Sequence, residues 1–132
     1  MGYKYDLEDR LIRFVTDVKI LVDNLPGDKF SSNLYSQISR SSTSSVLNYA
    51  EAQGAESYND FIHKIRLVLK ELRECQATLK IIFSLKLSDK VSLLDNLISE
   101  NSELIAIFMK SIQTANRNRE NHGDKKSGRN KP

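Results

Sequence analysis

Gln37, Arg40, Ser44, Asn48 and Glu51 recur at three- and four-residue intervals in the stretch QISRSSTSSVLNYAEA, residues 37–52. On a helix, that spacing stacks an amide, a guanidinium, a hydroxyl, a second amide and a carboxylate into one line. Such a line can hold a partner, or it can be a buried network that sets helix register. Neither use makes a catalyst. The chain has no Gly-rich phosphate loop, no Cys/His nucleophile arrangement and no spaced pair of acids with an obvious pocket. We therefore expect no enzymatic activity and no cofactor.

The remaining reactive groups are sparse. Asp60 and His63 form a single Asp-x-x-His, whereas a metal site in a bundle wants a carboxylate-x-x-His motif from each of two helices. No metal site is expected. Cys75 is the one cysteine, so it has no disulfide partner within the chain. It falls on an apolar stripe and is expected in the core.

Cations are gathered in two places. Lys64, Arg66, Lys70, Arg73 and Lys80 lie in one segment, with Glu71 and Glu74 interleaved. This pattern reads as a charge-laced solvent face with an available Lys70–Glu74 pair. Arg117, Arg119, Lys125, Lys126, Arg129 and Lys131 lie in the last sixteen residues, against Glu120 and Asp124. The rest of the chain carries fourteen basic and fifteen acidic residues, so the net charge of +3 belongs to this tail. A flexible basic strand can track phosphates, and it can equally serve only to solubilise.

These residues need elements to position them. The chain has 132 residues, enough for one domain with a real core. Its five Gly and two Pro are few, and three of those seven lie in the last ten residues. Leu7, Leu11, Phe14, Val15, Val18, Leu21, Val22 and Leu25 predict a first helix capped by Asp6 and ended by LPGDK. A second is predicted over 32–53, with Gly54 following it. A third opens at Ser57, where Asp60 completes a capping-box-like pair. Phe61, Ile65, Val68, Leu72, Cys75, Leu79 and Ile82 make its stripe. The fourth, capped by Ser88 or Asp89, carries Val91, Leu94, Leu97, Ile98, Asn101, Leu104, Ile105, Phe108 and Ile112.

Four amphipathic helices with short connections predict an all-α fold, an antiparallel up-down four-helix bundle over 1–116. A disordered basic tail is expected over 117–132. The five consecutive hydroxyl residues Ser41–Ser45 are poor helix formers. No Gly or Pro interrupts residues 28–53, however, and Leu34, Ile38, Ser41, Ser45, Asn48 and Ala52 share one stripe. We read the run as helical, its small side chains letting a neighbouring helix approach closely. The N-terminus MGYKYDLEDR has no apolar core of a secretory signal, and no stretch is long enough for a membrane span. A soluble, cytoplasmic protein is expected.

The stretch 37–52 resembles the signature of the four-helix-bundle proteins encoded in intervening sequences of bacterial 23S ribosomal RNA genes. Gln37, Ile38, Arg40, Ser41, Ser44, Asn48, Ala50 and Glu51 match its pattern. Ser45, Tyr49 and Ala52 depart from it. Phe61, Ile65, Arg66 and either Glu71 or Glu74 match the next helix loosely. The resemblance spans about residues 5–115. It implies a four-helix bundle and a homopentamer. It also implies kinship with accessory proteins of diversity-generating retroelements, which bind nucleic acid and reverse transcriptase. The expected partners are thus further copies of the chain, with RNA or DNA held by the tail and one bundle face. The alternative is a protein–protein adaptor whose tail is incidental.

Overall fold

The computed structural model describes residues 6–123, which form helices α1 (Leu7–Val22), α2 (Lys29–Gln53), α3 (Tyr58–Ser84) and α4 (Val91–Gly123). Each helix packs closely on the next, and α4 returns to α1, while the backbones of diagonal helices stay apart and meet only through side chains. The ring is antiparallel, because cross-helix bonds run in opposite chain directions. Arg40 meets Glu74 while Glu51 meets Lys64, and Gln76 meets Ser102 while Asn59 meets Arg119. This is the up-down four-helix bundle. Among the described residues no helix is long and apolar enough to cross a membrane.

The helix starts follow local chemistry. The Asp6 carboxylate accepts from the backbone N–H groups of Glu8 and Asp9, and the Ser57 hydroxyl accepts from that of Asp60 at 3.1 Å. α2 starts three residues earlier than the predicted Ser32. Asp28 is its cap, accepting from the Ser31 N–H at 2.8 Å, and it thereby takes Ser31 into the helix as a buried residue. α3 is closed just beyond Ser84 by Lys86 at φ 54°, where Leu87 N–H reaches Ile82 C=O and Lys86 N–H reaches Phe83 C=O. This is the left-handed closure that usually recruits glycine.

The end of α4 corrects the expected boundary. The helix runs past 116 to Gly123, so Arg117 and Arg119 are helical rather than part of a disordered tail. Arg119 holds the extra turns by donating to Asn59 on α3 at 2.7 Å and to Asn116 at 2.8 Å. The His122 ring stacks on Tyr58 at 6.1 Å, and Ala115 is buried beside them. The interruption of the apolar pattern at Arg117 hides these polar and aromatic anchors. Lys125, Lys126, Arg129 and Lys131 lie outside the described residues.

Leu11, Phe14, Ile38, Ile65, Leu72, Leu79, Leu104 and Phe108 are among the fully buried side chains of one continuous core. Helix lengths differ. α1 has 16 residues and α4 has 33, so α1 covers only part of α4. α1 meets α4 where Arg10 bonds Glu100 and Glu103. Beyond that point Tyr49 of α2 reaches Phe108 of α4, ring centroids 5.5 Å apart, inside what has become a three-helix body.

Candidate functional site

The Ser41–Ser45 run is helical, and its residues divide by face. Ser41, Ser42 and Ser45 are buried, Ser44 is half-buried and Thr43 is exposed. The buried hydroxyls are satisfied without large side chains. Ser45 donates to the Ser42 carbonyl at 2.7 Å, a bond one turn back, and Ser41 donates to Glu74 of α3 at 2.9 Å. The α2–α3 seam is the most extensive in the bundle. Ser41 and Ser44 are the small residues of the run that meet α3 there, through Glu74 and Glu71.

The predicted polar line becomes a network across that seam. Arg40 donates to Glu74 at 2.9 Å and to Glu71 at 3.4 Å, and also to Gln37 and Ser41 on its own helix. Ser44 donates to Glu71, and Asn48 donates to the carbonyl and hydroxyl oxygens of Ser44. Gln37, Arg40, Ser44 and Asn48 are therefore brought together. Glu51 stands apart, exposed, in an ion pair with Lys64 at 2.6 Å. The Arg40 guanidinium and the Ser41 hydroxyl hold the Glu74 carboxyl below its ordinary range, and Glu74 in turn pushes the Arg40 group up. The guanidinium and carboxylates of this line spend their bonding capacity on one another.

Two members, Glu71 and Glu74 of α3, were not anticipated as partners of this line. Glu71 is only 6% exposed, although an acid between Lys70 and Arg73 reads as solvent-facing. The signal lay in its register: Glu71 sits three residues after Val68 and four before Cys75, at the edge of the apolar stripe. Cys75 is buried, and that burial pushes its thiol up to about 12, with Glu71 and Glu74 adding to the effect. A thiol held protonated in this way is core, not nucleophile.

The cations of α3 sort into two groups. Lys64 pairs with Glu51, and Lys70 lies 3.7 Å from Glu74, the predicted helical pair. Arg66 and Arg73 have no ion pair among the described residues. Arg73 reaches across to the Met109 sulfur of α4 at 3.5 Å, a weak acceptor. These side chains border a groove of about 600 Å³ between α3 and α4, lined by Arg66, Leu69, Lys70, Arg73, Met109, Ile112 and Gln113. Arg119, whose partners among the described residues are Asn59 and Asn116, lies further along the same helix pair, and Arg117 is exposed two residues earlier on α4. Apolar side chains are also exposed at the opposite end, where Phe30, Ile81 and Leu85 line a groove of about 430 Å³.

Residues 4–110 match the family described as 23S rRNA-intervening sequence protein. The chain belongs to this family. Among solved structures it is similar to a crystal structure from Bacteroides thetaiotaomicron, described as a protein with unknown function from the S23 ribosomal protein family. The identity is 24%, the match covers 81% of this chain and 98% of that one, and the TM-score is 0.73, which establishes the shared fold. No curated protein matches. In this family member the motif residues at 37–48 build the α2–α3 seam, and the uncompensated arginines lie on the other side of α3.

Proposed function

We propose that the protein is a non-enzymatic, oligomeric four-helix bundle that binds RNA or DNA through one bundle face and the basic segment following it. The observation that carries this reading is the state of its arginines. Arg40 is clasped by two carboxylates, whereas Arg66 and Arg73 have no acidic partner among the described residues. Uncompensated cations on a helix face attract a polyanion, and binding releases that polymer's counterions. Arg117 and Arg119 add positive charge near the end of α4, and Lys125, Lys126, Arg129 and Lys131 follow them in the sequence. Copies in a pentamer, the assembly that the family resemblance implies, would present several such faces together and add avidity. A reducing cytoplasm, where thiols persist, suits the single Cys75.

The test is fluorescence anisotropy of labelled RNA and DNA against the full chain and a chain ending at Gly123, over a range of salt. The expected result is affinity that falls steeply with salt and drops on truncation. Absence of binding by the full chain at low salt would overturn the reading.

A second reading, an adaptor for a protein partner, is favoured by the exposed Phe30, Ile81 and Leu85. It predicts salt-tolerant association that Leu85→Asp abolishes.

A further inference from the structure

The α3–α4 groove combines two features that a duplex cannot both use. Its rim is cationic: Arg66, Lys70 and Arg73 recur at four- and three-residue spacing, a row about 10 Å long at the helical rise. The rest of its lining is mostly apolar: Leu69 of α3 and Ile112 of α4 are its less exposed side chains and form the floor, with Met109 on the facing α4 wall. A duplex keeps its bases stacked inside and offers such a groove only backbone, so the floor would gain nothing. A single strand offers phosphates to the rim and unpaired base faces to the floor, and the guanidinium planes add surfaces on which bases stack.

We propose that this groove is a binding site for unpaired, single-stranded nucleic acid, with Arg66 and Arg73 on its phosphates or base faces and Met109 and Ile112 against its bases. This rests on the nucleic-acid reading above and narrows it to one site and one class of strand. Charge complementarity selects the occupant. The groove's lining contains three cations and no carboxylate; the two acids beside Lys70, Glu74 at 3.7 Å and Glu71 at 4.0 Å, are both drawn to Arg40 on the other side of α3. The bond that Arg73 makes across the groove to the Met109 sulfur is weak and is readily exchanged for a phosphate oxygen.

The experiment uses the full chain with two labelled probes, oligo-uridine and a blunt RNA duplex with the same number of phosphates. Three proteins are compared: the unaltered chain, Arg66→Ala with Arg73→Ala, and Met109→Glu. All three substituted side chains are exposed, so folding is checked by melting temperature and is expected to hold. The unaltered chain should prefer the single strand by tenfold or more. The double variant should lose about tenfold for it, its salt slope falling by about 1.4, or 0.7 per lost phosphate contact. Met109→Glu should weaken the single strand and leave the duplex nearly unchanged. Equal affinity for both probes, or single-strand binding that both variants leave intact, would overturn the groove assignment while leaving general nucleic-acid binding in place. Loss of all binding by the unaltered chain would instead remove the broader reading.

Discussion

The two sides of α3 treat the same chemistry in opposite ways. Toward α2, the helix presents Glu71 and Glu74 to Arg40, Ser41 and Ser44, and the carboxylates are fully engaged. Toward α4, it presents Arg66 and Arg73 to a groove with a methionine sulfur and aliphatic carbon. The difference teaches that a family signature can be conspicuous because it builds a seam. Charges that cancel one another at a close-packed interface specify register. Charges left uncancelled over apolar surface are available to a ligand.

The comparison breaks most readily at its tightest point. Ser41→Leu should overpack the α2–α3 seam, where Ser41 is 1% exposed, and lower stability by roughly 1–3 kcal/mol in urea unfolding. Leucine in the groove, Gln113→Leu, should change stability by less than about 0.5 kcal/mol, because that side chain is exposed. An equal effect at both positions would erase the distinction between seam and groove.

Asn101 sharpens the contrast from the core. It is fully buried on α4, donates to the Leu72 carbonyl at 3.1 Å, and its own side-chain oxygen has no partner among the described residues. Where the seam satisfies its polar groups, this one goes half-satisfied. Asn101→Leu should therefore raise stability by about 1 kcal/mol, read as a higher melting temperature. A fall would mean that the buried amide contributes more than its single bond.

The smallest expected effect is a pH dependence. The Glu74 carboxyl is held below its ordinary 4.5 in the folded state, first by the Arg40 bond and then by the Ser41 bond. Its stabilisation is thus present above that ordinary value and lost as pH falls through the lowered one. Glu74→Gln should lower stability slightly at neutral pH and flatten its decline on acidification below that ordinary value. Both side chains are partly exposed, so the change stays small. A decline of unaltered steepness would remove Glu74 from the set of acid-sensitive groups.

Much of the architecture was legible in the sequence because it rests on local rules. The caps at Asp6 and Ser57, the four apolar stripes and the inward serines follow from spacing and hydrogen-bonding chemistry alone. One feature that escaped is local, the Asp28 cap, and the others depend on contacts between distant residues. Asp28 began α2 a turn early because its carboxylate found Ser31. α4 outran its apolar pattern because Arg119 and His122 meet Asn59 and Tyr58, sixty or more positions away in the chain. The partners of Arg40 were equally hidden, since no spacing on α2 reveals which α3 residues stand opposite. The charge-laced face of α3 was read correctly for Lys64 and Lys70, but nothing local distinguishes those lysines from Arg66 and Arg73.

The central claim is that the signature arginine builds the bundle while the groove arginines bind. Arg40→Gln and Arg66→Gln each remove one positive charge, so they can be compared at identical net charge. Their affinities for oligo-uridine, titrated side by side in low salt below both melting temperatures, test the claim most directly. Arg66→Gln should weaken binding severalfold with its melting temperature intact, and Arg40→Gln should lower the melting temperature with its affinity intact. Equal weakening by both, or weakening by Arg40→Gln alone, would contradict the claim.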